Sequence, residues 1–289
     1  MSPDHSCSGI FVKLSIMYIG VFDSGYGGLT ILKEFIKRLP QYDYIYLGDN
    51  ARAPYGTRSF ETVYNYTLQA VKKLFELDSQ LIILACNTAS AKALRAIQQK
   101  DLPRLYPNRR VLGVIRPSAE AIGQYTKTGK VGVFATPGTV NSGSYLMEIK
   151  KLYPDIEVYQ EACPMWVPLV ENNEHNGPGA DYFVKKNIDN LLSVNSKIDT
   201  IILGCTHYPL LLQKITKFLP PEIKIITQGE IVAKSLEDYL NRHPEIETKL
   251  SKNQKRIFYT TDIPEDFNEK GGKFLDYIIN LEAKKITLV

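Results

Sequence analysis

The chain carries one pattern twice. Leu81-Ile-Ile-Leu-Ala-Cys86-Asn-Thr88 and Thr200-Ile-Ile-Leu-Gly-Cys205-Thr-His207 are each an apolar run of strand length, ending on a cysteine and small polar residues. A second pair precedes them: Ile19-Gly-Val-Phe22 opens onto Asp23-Ser-Gly25, and Val131-Gly-Val-Phe134 onto Ala135-Thr-Pro137. Phe22 and Cys86 lie 64 positions apart, Phe134 and Cys205 71. Elements that recur in the same order at similar separation predict two related halves. Each half would place one thiol at the carboxyl end of a central strand.

Strand and helix signals alternate along both halves. In the first, strands are predicted at Tyr18–Phe22, Tyr42–Leu47, Leu81–Ala85 and Val111–Ile115, the last ended by Pro117. Helices are predicted at Gly28–Arg38, at Glu61–Leu77, and from Thr88 through the alanine-rich Ala89–Gln99. In the second, strands fall at Lys130–Phe134, Glu157–Glu161, Thr200–Leu203 and Lys224–Ile226. Its helices fall at Ser142–Leu152, Ala180–Leu192, Leu210–Phe218 and Glu230–Tyr239, while Ile257–Thr260 and Phe274–Ile279 are expected as an edge strand and a closing helix.

This succession predicts an α/β fold of two pseudo-symmetric, doubly wound domains with mostly parallel sheets. One domain takes residues 17–116 with a returning 229–289, the other 117–228, and residues 1–16 form an extension, with Met17 a candidate natural start. Right-handed crossovers would line Asp23, Asp49, Cys86 and Ile115 along one sheet edge. Ligands of such sheets bind outside the carboxyl ends of the strands, here in the cleft between the domains.

Composition removes several classes. With 44% apolar and 23% charged residues the chain is an ordinary globular protein, and its 35 basic and 31 acidic residues are dispersed. The densest basic stretch, Lys249–Arg256, reads as solvated surface, so no nucleic-acid partner is expected. Gly9–Phe22 is interrupted by Lys13 and lacks a cleavage site, and no run reaches the roughly 18 apolar residues of a membrane span. A cytoplasmic location without a membrane partner is expected. Cys7, Cys86, Cys163 and Cys205 show no CxxC spacing, and His5, His175, His207 and His243 do not cluster with them. Neither a metal site nor a disulfide scaffold is expected, which suits a reducing cytosol.

Chemistry concentrates at the predicted strand ends. Asp23-Ser-Gly25-Tyr-Gly27-Gly28 matches neither GxGxxG nor GxxxxGK[ST]. Its backbone N–H groups at a helix start suit an anion, and a carboxylate or amine site is favoured over a dinucleotide phosphate, unless it is only a tight turn. Tyr46–Gly56 is a polar loop, or a capping loop shaped by Pro54 and Gly56. A lone cysteine ending a buried strand is ordinarily an inert thiol, but duplication favours function for Cys86 and Cys205. A helix N-terminus would depress each thiol below its ordinary value of about 8.5. Asn87, Thr88 and Thr206 can hold a carboxylate, Asp23 would assist Cys86, and His207 would assist Cys205. Two thiols facing across a cleft are what cofactor-free racemisation requires, since one removes a proton while the other delivers one to the opposite face. Glu171 is either an inward-facing acid or a solvated loop carboxylate; Cys163 and Cys7 are read as incidental.

Seven segments, FDSGYGGLT (22–30), YLGDNARAPYG (46–56), ACNTAS (85–90), ATPGTVNSGSY (135–145), CPMWVPLVE (163–171), GCTHYPLL (204–211) and YTTDIPEDF (259–267), together resemble the glutamate racemase family of cofactor-independent aspartate/glutamate racemases. The resemblance runs from about Tyr18 to the end. It implies that Cys86 and Cys205 are the proton donors and acceptors, the first serving the D-enantiomer and the second the L-enantiomer. It implies that Asp23, Glu171 and His207 tune the thiols. Implied substrate contacts are Asp23, Ser24, Tyr55, Gly56, Asn87, Thr88, Thr136, Thr139, Thr206 and His207. L-glutamate as substrate, no cofactor, D-glutamate for peptidoglycan and cell-wall synthesis, and a homodimer follow from the same resemblance. Tyr26 departs from it, standing where a small aliphatic residue is frequent, and Ile115–Ser118 falls in a hinge that varies within the family. Open beside this reading are racemisation of aspartate, an amino-acid binding protein that lost the chemistry, and a thiol–disulfide enzyme, against which the absence of CxxC counts.

Overall fold

The computed structural model describes residues 17–289. The first sheet contains β1 (Tyr18–Asp23), β2 (Tyr44–Gly48), β3 (Ser79–Leu84), β4 (Arg110–Gly113), β9 (Arg256–Thr260) and β10 (Ala283–Lys285), in the order β10-β9-β2-β1-β3-β4. The second contains β5 (Lys130–Ala135), β6 (Glu157–Ala162), β7 (Thr200–Gly204) and β8 (Lys224–Ile226), in the order β6-β5-β7-β8. Every pairing is parallel; Val21 registers with Tyr46 and Ile83, and Val133 with Gln160 and Ile202. The order β2-β1-β3-β4 recurs as β6-β5-β7-β8, so the duplicated sequence is duplicated in topology. β2, β3 and β7 are buried at every position. Continuous apolar strands of this kind need helices on both faces.

Several elements differ from the sequence reading, each for a local reason. The strand expected at Val111–Ile115 stops at Gly113, and Ile115–Ala121 is a helix. Pro117 lies in its first turn, where no backbone N–H is needed. The long helix expected from Thr88 to Gln99 ends at Lys92 and continues in short pieces after Ala93. The helix expected at Ser142–Leu152 is divided at Gly143, whose φ of +64° is left-handed, into Pro137–Ser142 and Ser144–Leu152. Ile257–Thr260 is not an edge, because β9 runs between β2 and β10; β10 is too short and too rich in lysine to signal itself. The closing helix is Pro264–Phe274, started by a proline and the acidic Glu265 and Asp266, and Asp276 and Tyr277 behind it are left-handed. The chain reaches β9 through the helix Gln228–Arg242, which lies against the helices Leu29–Arg38 and Ile115–Ala121. Among the described residues no helix is long and apolar enough to cross a membrane.

Trp166 locks the second half together. It opens the helix Trp166–Glu171, is fully buried, and sets its ring centroid 4.9 Å from Phe134 at the end of β5 and 4.7 Å from Tyr208 beyond β7. Aromatic pairs at such distances add to the area they bury. Trp166→Ala is expected to cost about 3–5 kcal/mol, and Trp166→Phe clearly less. Urea unfolding followed by circular dichroism checks this; an unchanged midpoint in the alanine variant would show that the joint holds nothing.

Candidate active site

The carboxyl ends of the two sheets converge. From the first sheet come Asp23–Gly28 after β1, the Tyr55–Gly56 turn beyond β2, and Cys86–Thr88 after β3; from the second come Thr136–Thr139 after β5 and Cys205–His207 after β7. Thr206 Oγ1 donates to Asp23 Oδ2 at 3.4 Å, and Gly138 N donates to Gly56 O at 2.7 Å. The hydroxyls of Thr88 and Thr136 are 3.0 Å apart, with Thr139 Oγ1 3.2 Å from Thr136. The Thr206–Asp23, Gly138–Gly56 and Thr88–Thr136 contacts lie across the seam between the halves.

The loop glycines are there for space. Gly25, Gly27 and Gly28 all avoid positive φ. A Cβ on Gly27, however, would sit 2.2 Å from Thr206 Oγ1 and 2.5 Å from His207 Nδ1, and one on Gly56 would sit 2.9 Å from Thr136 Cβ. Side chains at these points would push the halves apart.

Cys86 is almost wholly buried and caps the helix Asn87–Lys92, its sulfur 3.4 Å from Ala89 N and 3.4 Å from Ser24 Oγ. Burial first, and then the neighbouring Asp23, push its thiol up to about 12. The expected depression by a helix N-terminus is therefore reversed. A six-residue helix supplies one N–H, while the sulfur loses its water and faces a carboxyl group. Asp23 is itself raised by burial, against the pull of His207 and of Gly25 N, which donates to Oδ1 at 2.9 Å.

Cys205 has different neighbours. Its sulfur is 4.0 Å from His207 Nδ1, and His207 Nε2 is 3.0 Å from Glu171 Oε1. Burial works against an imidazolium here, but Cys205 on one ring nitrogen and Glu171 on the other prevail and hold His207 charged up to about 10. The Phe274 ring meets the imidazole edge to face at 5.3 Å. Of the two readings left open for Glu171, the inward one describes its contact: it ends the helix Trp166–Glu171 and turns its carboxylate onto His207.

The remaining site candidates divide. Tyr55 is buried with its hydroxyl on Asp49, which also accepts from Arg52 Nε at 2.7 Å and Thr261 Oγ1 at 2.9 Å, so its side chain is committed inside the first half. Asn87 is bound to Gln228 and Tyr145, two residues to which the sequence assigned no role. Tyr145 lay inside a quoted motif, whereas Gln228 carried no signal. Cys163 is buried after β6, and Cys7 lies outside the described residues. Among the described residues no group of three or more His, Cys, Asp and Glu side chains is placed to hold a metal ion. The arrangement can therefore present two buried thiols, one beside a cation and one beside a carboxyl group, to a small anionic molecule.

Comparison with known proteins agrees with this geometry. Residues 29–236 match the family described as Asp/Glu/Hydantoin racemase. The glutamate racemase of Geobacter metallireducens is 41% identical over 274 residues, covering 92% of this chain and 98% of that protein. Among solved structures, a glutamate racemase isoform from Bacillus anthracis superposes with a TM-score of 0.84 at 35% identity, covering 94% of this chain and 98% of the other. The glutamate racemase of Francisella tularensis in complex with D-glutamate gives 0.82 at 36% identity, covering 94% and 97%.

The charge on His207 is directly measurable. Its ring is expected to titrate near 10 rather than 6.5 by NMR, and Glu171→Gln should lower that value. Because the folded state holds the proton more tightly than the unfolded chain, the stabilisation is full below about pH 6.5 and is lost as pH rises toward 10. A ring that titrates near 6.5 in the native protein would refute the pairing.

Proposed function

This chain belongs to the Asp/Glu/Hydantoin racemase family, and we propose that it interconverts L- and D-glutamate by two-base proton transfer between Cys205 and Cys86. The observation that carries the mechanism is the inequivalence of two duplicated thiols. Cys205 lies against a charged His207; Cys86 keeps its proton through burial and the neighbouring Asp23, against the pull of Ser24.

In the resting enzyme the Cys205 thiolate removes the α-proton of L-glutamate while the Cys86 thiol protonates the opposite face, giving D-glutamate. The enzyme is left with a Cys205 thiol and a Cys86 thiolate, and the return reaction uses them in reverse. This agrees with the roles implied by the family resemblance. The α-proton is a very weak acid, so the developing negative charge must be met by donors on the α-carboxylate. Asn87, Thr88, Thr136 and Thr206, with backbone N–H groups of the same turns, are the candidates. Glutamate as substrate is supported by relatives that carry that name over nearly their whole length. Supply of D-glutamate to peptidoglycan, cytoplasmic residence and a homodimer belong to the same reading. The three free, buried cysteines at 86, 163 and 205 suit a reducing compartment, and light scattering on the purified protein tests the dimer.

Incubation with L-glutamate in D2O, without added pyridoxal phosphate, is expected to give D-glutamate deuterated at Cα, with little label in the remaining L-glutamate early on. Equal early labelling of both enantiomers would overturn the two-base assignment. Cys86→Ala and Cys205→Ala should each lower racemisation at least about a hundredfold with the fold retained.

Alkylation separates the thiols. Iodoacetamide at pH 8, read by mass spectrometry, is expected to modify Cys205 before Cys86, with glutamate protecting both. Preferential modification of Cys86 would invert the resting assignment.

A further inference from the structure

Asn87 adjoins Cys86, yet its carboxamide is not free. Its Oδ1 accepts from Tyr145 OH at 2.8 Å, and its Nδ2 donates to Gln228 Oε1 at 2.7 Å. Gln228 is 3% exposed and starts the helix Gln228–Arg242 that carries the chain back to the first sheet. Its Nε2 lies 2.8 Å from Ser118 Oγ, 2.8 Å from Tyr145 OH and 3.2 Å from Val114 O. Four segments therefore meet here: the Cys86 turn, the outward crossing at 114–118, the helix Ser144–Leu152, and the returning helix.

The direction of every bond in this cluster follows from one backbone group. Val114 O can only accept, and Ser118 Oγ donates to it at 3.0 Å. The serine hydroxyl therefore offers Gln228 a lone pair, and the Gln228 atom facing both must be the amine. That turns Gln228 Oε1 toward Asn87, which requires Asn87 Nδ2 there and Asn87 Oδ1 toward Tyr145. Tyr145 OH then accepts from Gln228 and gives its proton to Asn87. One N–H of Asn87 Nδ2 remains uncommitted, next in the chain to Cys86, while its oxygen is spent. Gln228 also lines a cavity of about 250 Å³ together with Cys205 and Thr206. The cluster thus adjoins both thiol-bearing turns.

We propose that Gln228 is a positioning residue for the racemase reaction, acting with Tyr145 to hold Asn87 as a hydrogen-bond donor to the substrate carboxylate. This rests on the racemase reading above. A residue without hydrogen-bonding groups at 228 removes both the donor to Ser118, Val114 and Tyr145 and the acceptor of Asn87 Nδ2, which frees the Asn87 amide to turn its oxygen to the carboxylate. Because Gln228 touches neither sulfur, its effect reaches the reaction only through Asn87, on substrate binding and on the charge that develops during proton transfer.

The test compares wild type with Gln228→Met and Tyr145→Phe, measuring KM and kcat in both directions together with the melting temperature. Each variant is expected to raise KM for L- and D-glutamate and to lower kcat, so that kcat/KM falls about tenfold or more and equally in both directions. Gln228→Leu, which likewise removes all hydrogen bonding, should behave like the methionine variant, so a folding failure in one still leaves two readouts. If KM is unchanged in the variants and only the melting temperature falls, the cluster is structural and the proposal is overturned. If wild type does not turn over glutamate, the racemase reading itself falls, and this role with it.

Discussion

His207 carries a positive charge between Cys205 and Glu171 in a place that water scarcely reaches, and the site depends on that charge. Burial alone would strip its proton; Cys205 on one ring nitrogen and Glu171 on the other hold it. At Cys86 the same loss of water acts with the opposite result, because the neighbour is a carboxyl group rather than a cation. Two thiols that the sequence presents as copies are thereby made chemically different. Under the proposed mechanism, proton exchange through them keeps one thiolate and one thiol in the cleft throughout, so no net charge is created where the dielectric is low.

This inequivalence requires the halves to touch. Asp23 belongs to β1 and Thr206 to the turn after β7, yet they share a hydrogen bond, and Gly27 lies flush against Thr206 and His207. Thr88 and Thr136 meet the same way, as do Gly56 and Gly138. Gly27 therefore serves the close approach of the Thr206 and His207 side chains, not the wrapping of a phosphate. Where a phosphate loop keeps its N–H groups for a ligand, here Gly25 N is spent on Asp23 Oδ1.

Much of this was legible in the sequence because it is local. Apolar runs such as Leu81–Leu84 and Ile201–Leu203 can only be buried strands once their ends carry turn residues, and parallel order follows from the alternation with helices. The grouping of Asp23, Cys86, Cys205 and His207 followed from those strand ends. What escaped was non-local. The charge state of Cys86 depends on water excluded by the other half, so a helix-terminus argument gave the wrong sign. β9 read as an edge because the strand that covers it, β10, is three residues long. Gln228 gave no signal at all, since its partners are contributed by segments 110 or more positions away for Val114 and Ser118, and 141 for Asn87.

An asymmetric site must still obey a symmetric equilibrium. The two enantiomers are mirror images with equal free energy in water, so kcat/KM must be the same in both directions whatever the environment of the thiols. Under the proposed mechanism the free enzyme is held mainly in the form with Cys205 ionised and Cys86 protonated, which accepts L-glutamate. Productive binding of D-glutamate uses the minor form, and its apparent affinity is reduced by that form's population. Since the ratio is fixed, a higher KM for D-glutamate must be accompanied by a proportionally higher kcat. The Asp23 and His207 environments therefore cannot set which enantiomer is favoured; they set how an efficiency common to both directions is divided between binding and turnover in each.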